Sequence, residues 1–328
     1  MGGFCSKGEE TGDVNPEIEM NKEQDEKGDV NPEIEMNKEQ DEKGDVNPEI
    51  EMNKEQEQDD KWLSQHAPRR NKDAVGVSAS VLIKLAKLVK DGWTTKDVCQ
   101  HLIKPLTAKH DCVFVDLLGG QTDGKGRPYL GIPTLFLSHA WKYRFSVPLS
   151  VMLKHAEENP DAYFWFDLFV NDQNNAHNLP QEFWTETFQR NIESIGKVIL
   201  VLHPWHDPVP LQRAWCLYEI LMSFKSDGVE LRIELPPDEE ASFQEALTKD
   251  YKSAMDALVR TRAENSEAFN PDDKEMIFET VRNTIGFSQL NEQVKDQMRE
   301  WFLGMGLDVA RKQEEEGHGK EWDLEGCV

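Results

Sequence analysis

The sequence lacks any apolar run near the length needed to cross a membrane. A membrane-spanning helix needs about 18 or more mostly apolar residues in succession, and no segment of the 328 residues approaches this. The N-terminus has no apolar core segment, so we expect no secretory signal. Basic residues are also scarce, with 37 Lys and Arg against 62 Asp and Glu and a net charge of −25. Because phosphate contacts need clustered Lys and Arg, we expect no nucleic-acid binding.

Cysteine is equally scarce, and no CxxC spacing occurs. The five cysteines are Cys5, Cys99, Cys112, Cys216 and Cys327. Their odd number and scatter exclude a disulfide framework or a zinc site and favour reduced thiols in the cytoplasm. We expect no metal site and, as a separate expectation, no bound cofactor. Cys327 is second from the end, whereas a prenylation motif needs its cysteine fourth from the end.

The first seven residues carry a candidate lipid anchor. Gly2 follows Met1, and Ser6 occupies the fifth position of the mature chain, which matches the N-myristoylation pattern. One myristoyl chain binds a membrane only marginally, and an anionic leaflet repels the acidic segment that follows. Cys5 is the candidate second signal, through palmitoylation. We predict attachment to the cytoplasmic face of a membrane, and the alternative is a chance Met-Gly start on a cytoplasmic protein.

A unit of sixteen residues then occurs three times. The sequence GDVNPEIEMNKEQDEK occupies 12–27 and 28–43, and 44–59 repeats it with a changed end. Each unit has only three apolar residues, too few to form a core, so 8–60 is predicted as a disordered or transiently helical acidic spacer. Calcium binding is a weaker alternative. Asp13, Asn15 and Glu17 alternate, but the turn glycine of an EF-hand loop is missing and Pro16 interrupts.

The composition becomes globular from about Ser64. We predict a mostly helical extension over 61–131, in which Cys112–Leu118 is a strand or buried segment. Gly119–Gly126 nearly matches a phosphate-binding P-loop. However, Gly126 replaces the hydroxyl residue that binds magnesium, and Pro128 follows where a helix should begin. A flexible surface turn fits better than a P-loop.

Residues 132–236 alternate between strand and helix patterns, which predicts an α/β domain with a parallel sheet covered on both faces. Predicted strands are Thr134–Leu137, Tyr163–Val170, Val198–Leu202 and, nearer an edge, Val229–Leu235. Predicted helices lie around Val147–His155, over Glu182–Ile195 and after Pro210. A helical subdomain follows over 237–313, and 314–328 is a charged tail.

Polar and aromatic residues sit at the predicted strand ends, where ligands bind in open α/β sheets. They are Ser138, His139, Trp141, Asp167 and Trp205. Trp215 and Glu219 stand four apart on the next helix and so share a face, where they could hold a ring and a ribose. Structural alternatives remain: Trp215 as core, Glu219 as a solvated acid, His139 as a hydrogen-bonded histidine and Asp167 as a cap.

These motifs together resemble a Toll/interleukin receptor (TIR) domain. The matching segments are the strand that runs into Phe136–Trp141, the acidic strand end Trp165–Asp167, and the box Arg213–Glu219 after an apolar strand. The chain looks most like the divergent TIR-like domains of algae and other protists with "SHAW", "FWxD" and "RAWCLxE" boxes. The resemblance covers about 132–236 and implies a flavodoxin-like parallel sheet. The glycine and proline pattern of the family's BB loop is not clear between Asp167 and Trp184.

Many TIR domains are NAD+ glycohydrolases, so the resemblance implies NAD+ as a candidate substrate. It implies that Glu219 is the catalytic carboxylate and Trp215 a stacking platform, with the strand-end residues lining the cleft. The alternative is a non-catalytic adaptor that docks onto other TIR-like domains or self-associates. A third alternative, nucleotide binding by the P-loop-like segment, depends on Lys125.

Overall fold

The computed structural model describes residues 75–249 and 262–315. The predicted acylation motif with Gly2 and Cys5, the acidic repeats and most of the charged tail lie outside these ranges. In the described part of the chain, no helix is long and apolar enough to span a membrane.

Short strands alternate with helices through the described residues. The strands are β1 Gly76–Ser78, β2 Leu130–Gly131, β3 Leu135–Ser138, β4 Tyr163–Trp165, β5 Lys197–Val201 and β6 Glu230–Glu234. The helices are α1 Ala79–Ala86, α2 Thr95–Val98, α3 Lys104–Ala108, α4 Ser146–Glu158, α5 Asp167–Val170, α6 Gln181–Ile195, α7 Ala214–Lys225, α8 Pro237–Lys249, α9 Pro271–Asn283 and α10 Gly286–Glu315. A π-helical turn, Cys99–Ile103, joins α2 to α3. Short 3-10 segments are Phe114–Leu118, Ala176–Asn178, Val209–Gln212 and Ala263–Asn265.

The strands form one sheet in the order β2-β1-β4-β3-β5-β6. The pairs β4–β3, β3–β5 and β5–β6 are parallel, while β1 pairs antiparallel with both β4 and β2. The predicted α/β class is therefore confirmed, and the sheet is mostly parallel rather than parallel throughout. Strand order reverses between β3 and β5, because the chain runs from β3 outward to β4 and then returns to the other side of β3.

Both faces of the sheet are covered, as the continuous apolar strands predict. Leu135 and Leu137 belong to one buried cluster and Phe136 to the other, since successive side chains of a strand point to opposite faces. β5 repeats the alternation with Val198 and Ile199. Helices α1 and α4 supply buried residues to the first cluster, and α6, α7, α9 and α10 supply them to the second.

The helix α6 ends where a glycine permits a sharp turn into β5. Gly196 has a φ of 71° and caps the helix with its N–H bonded to Ile192 O. This left-handed conformation costs glycine little, and it is the usual helix stop. The predicted strand after this helix is thereby brought into the sheet between β3 and β6.

Two segments for which a strand was predicted are partly helical. The strand expected over 163–170 ends at Trp165, because the N–H groups of Phe169 and Val170 both bond to Phe166 O and turn the chain into α5. Cys112–Leu118 is a buried segment but not a strand. Its 3-10 turn is capped by the Asp116 carboxylate, which accepts a hydrogen bond from Val113 N at 3.3 Å.

The P-loop alternative for Gly119–Gly126 is wrong. A P-loop follows a strand and opens a helix, whereas this segment follows a 3-10 turn and leads into β2. The Asp123 carboxylate organises it as a turn by accepting hydrogen bonds from Lys125 N at 2.8 Å and Arg127 N at 2.9 Å. These bonds hold the pKa of Asp123 well below its usual value.

Candidate functional site at the carboxyl edge of the sheet

A serine at the end of β3 is joined to a glutamate on α7. Ser138 Oγ donates a hydrogen bond to Glu219 Oε2. Ser138 is fully buried and Glu219 is 6% exposed. Ser138 points to the same face as Phe136, two residues earlier, and this is the face that α7 covers. The contact therefore lies beside the position where strand order reverses.

The surroundings of Glu219 disfavour its charged form. Burial raises the pKa of Glu219 well above its usual value, and the neighbouring Asp167 carboxylate raises it further. The hydrogen bond from Ser138 acts in the opposite direction. Desolvation dominates, as expected for a carboxyl group removed from water.

His139 lies on the opposite face of the sheet from Ser138. Its Nε2 is 3.2 Å from Thr95 Oγ1, and its ring meets Phe166 edge to face at 4.8 Å. Burial lowers the pKa of His139 to about 3, so the imidazole is neutral at physiological pH. The main chain of His139 also contacts α7, because Cys216 Sγ donates to His139 O at 3.5 Å.

Trp141 and Asp167 form a second contact at the same edge. Trp141 Nε1 donates to Asp167 Oδ2 at 2.7 Å, and Leu168 N donates to Asp167 Oδ1 at 2.8 Å. Burial raises the pKa of Asp167 to about 6, although both hydrogen bonds favour the charged form. Asp167 is also close enough to raise the pKa of Glu219. Ser138, His139, Trp141, Asp167 and Glu219 thus surround one edge of the sheet.

The two remaining predicted tryptophans have other partners. Trp215 packs against Phe188 with ring centroids 5.3 Å apart, and its Nε1 donates to Asp273 of α9 at 3.0 Å. Trp205 packs on Phe243 of α8 at 5.3 Å and donates from Nε1 to Ser242 Oγ at 3.1 Å. These contacts tie both indoles to the helices after the sheet rather than to Glu219.

Sequence reasoning missed two polar residues of the site. Thr95 contacts His139 from α2, and Gln173 Nε2 donates to Asp167 O at 2.8 Å from the loop after α5. Thr95 lies outside the segment with strand and helix alternation, and Gln173 lies in a polar loop without spacing. No signal in the sequence distinguishes either from ordinary surface residues.

Among the residues that the structure describes, no group of three or more His, Cys, Asp or Glu side chains is placed to hold a metal ion. The site consists instead of the buried Glu219 and half-buried Asp167 carboxyl groups, the hydroxyls of Ser138 and Thr95, the Gln173 amide and the rings of His139 and Trp141. This donor set suits an organic ligand with hydroxyl groups or a positive charge.

No family model, curated protein or solved structure matches the chain.

Proposed function

We propose that the chain is a TIR-like NAD+ glycohydrolase, tethered to a membrane through its N-terminus, with Glu219 as the catalytic carboxylate. The observation that carries the proposal is the Ser138–Glu219 hydrogen bond at the carboxyl edge of the sheet. The order of the parallel strands supports the finer fold assignment. Across the sheet the parallel strands lie in the order β4-β3-β5-β6. If β3 is counted as the first parallel strand, this is the order 2-1-3-4 of a flavodoxin-like sheet. Ligands of that fold bind where the order reverses.

The reaction requires stabilisation of positive charge on a sugar. Cleavage breaks the bond between ribose C1′ and the nicotinamide nitrogen, and the electron pair leaves with nicotinamide. An oxocarbenium-like centre remains at C1′, water adds to it, and a proton is released. An ionised Glu219 stabilises the cationic transition state and accepts hydrogen bonds from ribose hydroxyls, as carboxylates do in other glycosyl transfers.

The positive charge of the substrate favours ionisation of the buried Glu219 carboxyl group. The nicotinamide ring of NAD+ is positively charged, and an opposite charge nearby favours the ionised form of a carboxyl group. Binding therefore lowers the pKa of Glu219 from the raised value of the unliganded site. The Ser138 hydroxyl, which already donates to Oε2, holds the carboxylate in place during this change.

Access to Glu219 requires movement. With 6% of its surface exposed, the glutamate cannot reach a dinucleotide in the described conformation. Asp167 and Trp141 are half-buried at the same edge and are joined by a single side-chain hydrogen bond. Displacement of this pair opens the site from the solvent side.

A non-catalytic adaptor is the second candidate function. The burial of Glu219 favours it, since a carboxyl group held by Ser138 and closed to solvent also suits a purely structural role. This candidate predicts self-association or docking onto other TIR-like domains, without release of nicotinamide.

The test compares nicotinamide release from NAD+ by the purified chain and by Glu219→Gln. The substitution keeps the size and the hydrogen bond to Ser138 but removes the charge. We expect release to fall by at least 100-fold, a size typical for loss of one electrostatic stabiliser. Glu186→Gln, which removes an exposed acid on α6, is the matched control and should leave release unchanged. Release from the wild type that survives in Glu219→Gln would reject the catalytic role.

A further inference from the structure

A short stretch of the N-terminal extension lies against the loop that follows β3. Thr95 N donates to Tyr143 O at 2.9 Å, and Lys96 N donates to Trp141 O at 3.1 Å. An antiparallel bridge between Thr94 and Arg144 continues this pairing. Because Trp141 also bonds to Asp167, the paired segments 94–96 and 141–144 border the candidate site directly.

The outward side of this pairing carries positive charge. Thr95 and Tyr143 are buried, whereas Lys96, Lys142 and Arg144 are exposed. Within the described ranges, none of these three cations forms an ion pair within 4.0 Å. Three such cations side by side are notable in a chain with a net charge of −25.

An exposed aromatic ring stands next to these cations. Phe269 is 85% exposed, and Lys96 Nζ lies 5.0 Å from the centre of its ring. The backbone just before Phe269 is fixed at the start of α7, where Glu267 N donates to Gln212 O at 2.8 Å and Glu267 O accepts from Ala214 N at 3.0 Å. The backbone two residues before the ring is therefore held at the start of the Glu219 helix, and the ring itself lies beside Lys96.

We propose that Phe269 and the cations Lys96, Lys142 and Arg144 bind the adenosine diphosphate part of NAD+. The proposal rests on the proposed function and adds a subsite to which Lys96 and Phe269 contribute from outside the segment that resembles a TIR domain. Bases stack on exposed aromatic side chains, and Lys and Arg donate charge-assisted hydrogen bonds to phosphate oxygens. The adenine ring stacks on Phe269, the pyrophosphate meets the cations, and the nicotinamide ribose extends past Trp141 toward Glu219.

The test is to measure, by calorimetry, the affinity of the full chain for ADP-ribose and for inorganic pyrophosphate. Both probes lack the scissile bond. Phe269→Ala should lower the affinity for ADP-ribose about 5- to 10-fold, which is the lower end of the range for the loss of one stacking contact. It should leave the affinity for pyrophosphate unchanged. Lys96→Ala should lower the affinity for both probes by about threefold or more at low salt. The effect should be smaller at high salt, because salt screens exposed charges.

Two variants serve as matched controls. Ile132→Ala removes another apolar side chain that is 85% exposed, and Lys125→Ala removes an exposed lysine of the Asp123 turn. Neither should change either affinity. Loss of ADP-ribose binding in Lys125→Ala would overturn the proposal in favour of the glycine-rich segment.

The outcomes separate this subsite from the catalytic proposal. Wild-type chain that does not bind ADP-ribose, or Phe269→Ala and Lys96→Ala chains that bind it like wild type, would overturn the subsite. Wild-type binding that the two variants weaken as expected supports the subsite even if the chain releases no nicotinamide. In that case only the catalytic proposal fails.

Discussion

Ser138 contributes a single hydrogen bond whose effect on Glu219 has a definite sign. That bond favours the charged form of Glu219 and opposes the rise in pKa caused by burial. Ser138→Ala should therefore raise the pKa of Glu219 further. If activity requires the ionised carboxylate, the rise of kcat/KM with pH should move to higher pH in this variant, and activity at pH 7 should fall.

Ser223→Ala is the matched control for this experiment. Ser223 is buried one turn later on α7, and its Oγ donates to the main-chain oxygen of Glu219 at 2.8 Å rather than to the carboxylate. The control should leave the pH profile in place. Equal shifts in both variants would show a general disturbance of α7 and contradict the role given to Ser138.

His139 should make stability depend on pH on the acid side. Its pKa falls from 6.5 to about 3 on folding because the ring is buried. Between pH 6.5 and pH 3 the unfolded chain binds a proton at His139 that the folded chain does not bind. The contribution of neutral His139 to the free energy of unfolding is therefore fully present above pH 6.5 and is lost as pH falls toward 3. Denaturant unfolding from pH 7 to 4 should show a shallower loss for His139→Gln than for wild type. His206→Gln, at an exposed histidine, should retain the wild-type slope.

Strand-end positions led to the grouping of Ser138, His139, Trp141, Asp167 and Trp205. The structure places the first four at one edge of the sheet with Glu219 of α7, whereas Trp205 packs on α8. Helical spacing was less informative for Trp215. A four-residue spacing places Trp215 near Glu219 on α7, but α7 has the sheet on one side and α9 on another. The long indole reaches Asp273 on α9, while the shorter carboxyl group faces Ser138. Spacing within one helix cannot state which neighbouring element each side chain meets.

At the scale of elements, Trp215 acts as a link between α7 and α9. Trp215→Phe removes the hydrogen bond to Asp273 and should lower the free energy of unfolding by about 1 kcal/mol. Chemical denaturation measures this, with Trp184→Phe as the control for loss of indole area at a half-buried position. A rise in KM for NAD+ without loss of stability would contradict this role and support the stacking platform that the resemblance implies.

Long apolar strands and long helices are the elements that the sequence predicts well. β3, β5, β6, α4 and α6 each lie within about three residues of the predicted bounds. The strands β1 and β2 are not predicted, because three- and two-residue strands show no alternation. Both strands join the sheet through partners that are distant in sequence. β1 pairs with Tyr163 and Phe164 of β4, and β2 pairs with β1.

At the scale of the whole molecule, the sequence predicts a dual lipid anchor on an acidic protein. Gly2→Ala should move the chain from the membrane fraction to the soluble fraction, because it removes the acyl acceptor. Cys5→Ser should give partial release, since one myristoyl chain binds reversibly. Gly3→Ala is the matched control and should stay with the membrane. Cell fractionation that finds Gly2→Ala and wild type alike would reject the anchor.

The central claim is that the chain cleaves the nicotinamide–ribose bond of NAD+ with Glu219 as the catalytic carboxylate. Nicotinamide release tests this claim most directly. The measurement uses the full chain at high protein concentration with a crowding agent, in parallel with Glu219→Gln and Glu186→Gln. We predict release by the wild type and Glu186→Gln and loss of at least 100-fold in Glu219→Gln. No release from folded wild-type protein, or equal release from Glu219→Gln, would contradict the account.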